Sequence, residues 1–187
     1  MRRKIKQVMN KKGEEYMVKI KMMPLCGIEV NDSSIIEFGQ SRKDLINILG
    51  KGDAEIEDRI YYFENCLQLE FVDGRLAFAE VSKDENLVLS LYGINPFQMQ
   101  DAELISFLCK KCGVEDRDSQ NCDNLYDFCI QSQSIAFHRG ITPKDTAESI
   151  AEAKAEGCYN TEMENDYLQS KYFETVAIGI ADYFKNE

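Results

Sequence analysis

The sequence predicts an α+β protein. Two tandem units, each a helix followed by an antiparallel meander, are expected to form one curved sheet with helices on one face. Three observations predict this. The segment Phe38-Gly-Gln-Ser-Arg-Lys-Asp-Leu-Ile-Asn-Ile-Leu49 returns as Phe97-Gln-Met-Gln-Asp-Ala-Glu-Leu-Ile-Ser-Phe-Leu108, and self-similarity of this kind marks a duplicated architecture. Leu69-Glu-Phe-Val-Asp-Gly74 returns as Ile135-Ala-Phe-His-Arg-Gly140, so a helix pattern precedes a strand pattern in both copies. The offset between copies is 59 residues at the helix and 66 at the strand. The difference places seven extra residues, polar and acidic, within Val114 to Asn124.

The elements follow in order. Residues 1–15 read as a polar tail, and Met17 offers a second start. Tyr16, Val18, Ile20 and Met22 alternate with Lys19 and Lys21, the pattern of a half-buried strand ended by Pro24. The remainder, 16–187, reads as one domain of two units, about 28–92 and 93–187. In the first unit Ser41 and Asp44 have capping-box spacing, and Leu45, Ile48 and Leu49 form an apolar stripe. Gly50 stops that helix. Strands are predicted at Ile60–Phe63, at Leu67–Phe71, from Leu76 to Val81 and at Leu87–Leu91, with Asp73-Gly74 as a hairpin turn. The second helix is expected over about Asp101–Lys111 on Leu104, Phe107 and Leu108, followed by strands at Tyr126–Phe128 and Ser134–His138. A helical insertion then replaces the tight hairpin of the first unit. Thr142-Pro143 opens a helix that Gly157 ends, a short helix covers about Glu162–Ser170, and Tyr172–Phe184 reads as a long closing strand.

Composition bounds the function classes. With 44% hydrophobic and 29% charged residues, the chain suits an ordinary globular protein. No apolar run approaches the roughly 18 residues that a membrane span needs. Met-Arg-Arg-Lys-Ile-Lys at the start lacks the apolar stretch of a secretion signal. Seven scattered cysteines, an odd number, read as reduced thiols in the cytoplasm. Residues 1–21 hold eight Lys/Arg against two Asp/Glu, whereas 22–187 hold 14 against 31, a balance of −17. So acidic a body disfavours nucleic acid and membrane phosphates, and it can steer toward a basic protein. Simple solubility is the plainer reading of the same charge.

The stretch Ile35-Ile-Glu-Phe-Gly-Gln-Ser-Arg-Lys-Asp-Leu-Ile-Asn-Ile-Leu-Gly50, with Tyr61-Tyr-Phe and Phe71-Val-Asp-Gly-Arg-Leu76, resembles a known module. It is that of the outer-membrane assembly lipoproteins of the SmpA/OmlA type, which occurs in duplicate in the beta-lactamase inhibitory protein. There a Gly-Met-Ser or Gly-Met-Thr turn precedes a helix ending in Leu-Gly, then a Tyr-rich strand. Gly39-Gln40-Ser41 keeps the turn with Gln for Met, and Gln98-Met99-Gln100 keeps Met and loses Gly. The resemblance covers about two thirds of the chain and concerns scaffold residues. It extends to bacterial cytoplasmic proteins with two such copies, some in toxin–immunity loci. The resemblance implies a binding scaffold whose open sheet face meets a protein. The lipidated cysteine and signal of the lipoproteins have no counterpart here, so their membrane role does not carry over.

Candidate sites are few. Cys109-Lys-Lys-Cys112, with Cys122 and Cys129, could supply four thiolates to one zinc ion. Against this, a second Cys-x-x-Cys is absent and Cys109 falls where the repeat places Gly50, so free thiols are the simpler reading. His138, the single histidine, aligns with Val72 and reads as an ordinary strand position. No nucleophile elbow, P-loop or dinucleotide fingerprint occurs, so neither a catalytic residue nor a cofactor is indicated. Tyr62, Gln68 and Glu70 are expected on the open sheet face, and Glu115, Asp116, Asp118 and Asp123 in an acidic loop, as the partner-binding residues. The reading that follows is a non-catalytic binding module. An immunity or inhibitor protein that occludes a basic toxin or enzyme comes first. A zinc-binding regulatory protein and a self-associating structural protein are the alternatives.

Overall fold

The computed structural model describes residues 17–185. Tyr16 and the tail reading for residues 1–15 lie outside the described residues. Among the described residues the class is α+β, with eleven strands in two sheets and four α-helices. The single curved sheet is therefore corrected to two.

The smaller sheet holds β1 (Val18–Met23), β2 (Gly27–Val30), β3 (Ser34–Glu37) and β8 (Leu87–Leu91) in the order β3-β2-β1-β8. β1 buries Val18, Ile20 and Met22 and exposes Lys19 and Lys21, as its alternation requires. It pairs antiparallel with β2 and parallel with β8. β2 and β3 join through Asn31 and Asp32, both at positive φ, the conformation that a tight hairpin demands and that Asn and Asp tolerate.

The larger sheet holds β4 (Ala54–Ile56), β5 (Arg59–Tyr62), β6 (Leu67–Val72), β7 (Arg75–Ser82), β9 (Asp127–Ile130), β10 (Ile135–His138) and β11 (Thr175–Gly179). Its order is β4-β5-β6-β7-β11-β10-β9, and each neighbouring pair is antiparallel. Asp73 and Gly74 turn β6 into β7 with both φ angles positive. The meander after each of the first two helices thus ends at the junction of β7 and β11. The closing strand is five residues long, shorter than its hydrophobic run suggests. Beyond Gly179 the chain turns, and Tyr183 and Phe184 fold back on Phe78 with ring centroids 4.9 and 6.1 Å away.

Helix α1 (Arg42–Leu49) is capped by Ser41, whose hydroxyl accepts from the Asp44 amide, and α2 (Asp101–Cys112) ends at Gly113 in the left-handed region. α3 (Pro143–Glu156) has the full capping box of Thr142 and Asp145, and α4 (Glu162–Ser170) completes a helical pair between β10 and β11. Leu45, Leu104 and Leu108 are fully buried, but Leu49 is half-buried and Ile48 is exposed. The four repeat leucines are therefore not equivalent, and Ile46 rather than Ile48 completes the α1 stripe. One core unites the inner faces of both sheets with Leu45, Leu104, Ile105 and Leu108. α1 and α2 thus pack on the same side of the larger sheet as the smaller one. The other side of the larger sheet carries none of the four helices; Tyr183 and Phe184 cover Phe78 and Ala177 there, and the rest is open.

Candidate functional site

The open face can be read from strand register, because residues paired across strands share a face. Its central row crosses six strands as Tyr61, Gln68, Glu80, Ala177, Ala136 and Cys129. On one side lies the row Arg59, Glu70, Phe78 and Gly179. On the other lie Ser82, Thr175, His138 and Asp127. Within these rows is a cleft of about 360 Å³, large enough for a small ligand or a side chain from a partner. No residue of α1–α4 lines it.

The alanines at the centre keep the floor low. Tyr183 comes close over Gly179, where an added Cβ would lie 2.6 Å from the tyrosine Cβ. The tyrosine hydroxyl donates to Glu70 Oε1 at 2.8 Å, and Glu70 Oε2 accepts from Arg59 Nε at 2.6 Å. At the other side His138 Nδ1 meets Asp127 Oδ1 at 2.7 Å. Such a carboxylate orients an imidazole, as in acid–base catalysis. Here, however, the two side chains are 53% and 74% exposed, so water competes for both. Glu80 is different. It is half-buried, and among the described residues its carboxylate has neither a hydrogen bond nor an ion pair. Burial pushes its pKa up, and the nearby charges of His138 and Arg59 pull it back only in part.

The expected partner-binding residues are divided by the structure. Gln68 and Glu70 line the cleft. Tyr62 does not, because it pairs with Leu67 and therefore faces the core. Its hydroxyl donates to the Gly50 carbonyl at 3.0 Å, and burial lifts its pKa to about 12. Tyr61, opposite Gln68, holds the open-face position instead. Glu115, Asp116, Asp118 and Asp123 are exposed, but none lines the cleft. Glu115 pairs with Arg117 at 2.6 Å, and Asp116 accepts from the Ser119 amide and hydroxyl, so the loop is tied by its own side chains.

The zinc alternative is corrected as well. Among the described residues no cysteine forms a disulfide, and no three of Cys109, Cys112, Cys122 and Cys129 bring their sulfurs within 4.8 Å of one another. Cys109 and Cys122 are buried, whereas Cys129 is exposed on the edge strand β9. Cys122 gathers instead with Asp101 and Asp123. Burial raises its thiol to about 12, and Asp101 is already held at 2.6 Å by Arg139 Nη1.

Sequence reasoning missed Glu80 and Arg139. A lone carboxylate in Leu76-Ala-Phe-Ala-Glu-Val81 was the available signal for the first. Arg139 had none, since the repeat aligns it with the turn residue Asp73. It is fully buried, and its guanidinium donates to the carbonyls of Leu125, Cys122 and Ser170 as well as to Asp101. Phe173 stacks beneath it at 4.9 Å. That constellation joins α2, the 122–125 loop and the end of α4, and every donor direction is structural.

Comparison of the chain with known protein families, curated proteins and solved structures returns no match. No helix among the described residues is long and apolar enough to cross a membrane.

Proposed function

We propose that this protein is a non-catalytic binding module that occludes a basic protein partner, in the manner of an immunity or inhibitor protein. The observation that carries the reading is the helix-free face of the larger sheet, which only Tyr183 and Phe184 cover in part. One side of that sheet is packed by α1, α2 and the smaller sheet, while the other presents a cleft lined by charged, polar and aromatic side chains. Interfaces favour this mixture of aromatic and polar groups. The balance of −17 over residues 22–187 gives long-range attraction for a basic target. Seven cysteines with no disulfide among the described residues support a reducing, cytoplasmic setting. The resemblance of the sequence to an inhibitor scaffold supports this reading. Fold alone assigns no function.

The test is capture of the partner from the native host followed by binding of the purified pair. Wild type should form a stoichiometric complex. A variant with Gln68→Trp and Thr175→Trp, both half-buried positions on the open face, should fold and fail to bind. A folded double variant that binds as well as wild type would overturn the reading, as would a turnover abolished by His138→Ala.

A further inference from the structure

Resting on the open face as the binding surface, we propose that its cleft is a receptor for one arginine side chain of the partner. Glu80 is the receiving carboxylate, and the ring of Tyr183, backed by Phe78, is the wall on which the guanidinium lies.

The argument begins with which carboxylates are already occupied. Glu70 accepts from Arg59 at 2.6 Å and from Tyr183 at 2.8 Å, and Asp127 is paired to His138 at 2.7 Å. Glu80 alone of the three lacks a hydrogen bond or ion pair among the described residues. It stands on β7, in the middle of the sheet, between Gln68 and Ala177. Leaving a half-buried carboxylate without a partner is unfavourable, and a cation delivered from outside relieves that penalty.

The surroundings select the kind of cation. A divalent metal requires several oxygen ligands, and only one uncommitted carboxylate is offered. A guanidinium is planar and weakly hydrated. It can bind both carboxylate oxygens at once while its face rests on a ring. Phe78 and Tyr183 stack with centroids 4.9 Å apart in the same cleft as Glu80; Phe78 is buried, and the half-buried Tyr183 is the ring a guanidinium can reach. The half-buried Ala136 ends at Cβ, so the aliphatic stem of an arginine can lie against it beside Glu80. An ammonium would match the charge but would use neither the fork nor the flat face as fully.

The experiment titrates the whole protein with N-acetyl-arginine methylamide and follows backbone amide resonances by NMR. Saturable shifts should centre on Glu80, Gln68, Ala177 and Tyr183. The citrulline analogue, which has the same shape without the charge, should produce none. The lysine analogue should bind more weakly than the arginine compound. Glu80→Gln should weaken arginine binding at least about tenfold, equivalent to about 1.4 kcal/mol. Glu152→Gln, exposed on α3 and away from the cleft, should leave it unchanged. Equal binding by citrulline or lysine, shifts centred elsewhere, or an unaltered Glu80→Gln titration would overturn the arginine receptor. The two readings fail separately. If the Gln68→Trp/Thr175→Trp variant loses the partner while Glu80→Gln binds it fully, the face stands and the anchor falls. If the double variant still binds the partner, the face itself falls.

Discussion

Two charges withdrawn from water to different depths show how differently single residues can be used. Arg139 is fully buried and satisfied: its guanidinium meets a carboxylate and three carbonyls. Replacing it by Met would strand Asp101, which is 4% exposed, as an unpaired buried carboxylate. We expect a loss of roughly 3–5 kcal/mol in chemical denaturation. Glu80 is the opposite case. Its pKa is raised, chiefly by burial and slightly by Glu70, while His138 and Arg59 act the other way. The folded state therefore holds the proton to higher pH than the unfolded chain. The neutral acid's advantage is complete below the ordinary value of 4.5 and is lost as pH rises through the folded value. Glu80→Gln should accordingly raise the melting temperature at pH 7, and the gain should vanish near pH 4. A variant no more stable than wild type at pH 7 would contradict this account of the desolvated carboxylate.

At the scale of elements, burial separates the helix leucines. Leu45→Ala and Leu104→Ala should each cost roughly 2–5 kcal/mol, as fully buried leucines do. Leu49→Ala should cost clearly less, since that side chain is half-buried. Equal losses at Leu45 and Leu49, measured by urea denaturation, would restore the equivalence that the structure denies. The helices were the most legible elements, because their boundaries are written in local chemistry. Ser41, Thr142 and Gly113 each act on the backbone within one turn of themselves. β2, β3 and β4 escaped because strands of three or four residues carry too little alternation, although Asn31-Asp32 was a readable turn. Tyr62 was placed on the wrong face because Phe63, Glu64 and Asn65 turn β5 into β6, and only the register across that turn says which tyrosine opposes Gln68. Gln68 and Glu70 were legible because both lie within one uninterrupted alternating strand. The parallel pairing of β1 with β8 joins Val18 to Leu87, a separation that no local pattern encodes.

Over the whole molecule, charge governs encounter. If the partner is basic, its association rate should fall steeply as salt rises, because the attraction is screened over about 10 Å at 0.1 M. The dissociation rate should change far less. Reversing Glu115, Asp116 and Asp118 together should slow association while leaving the melting temperature nearly unchanged, since all three are exposed. An association rate independent of salt in stopped-flow measurements would remove the electrostatic contribution.

The position of β11 governs how such a chain can be assembled. β4–β7 form one ribbon and β9–β10 another, and neither hydrogen-bonds to the other except through β11 between them. A chain leaving the ribosome N-terminus first therefore makes two separate ribbons, each with an unpaired strand edge. They become one sheet only when residues 175–179 emerge. Until then those edges can pair with other strands, the usual route to misassembly. A chain halted at Ser170 should retain much of its helical circular dichroism, lose cooperative unfolding and aggregate at concentrations where the full chain does not. Cooperative melting of that shortened chain would mean that the two ribbons hold together without their shared strand.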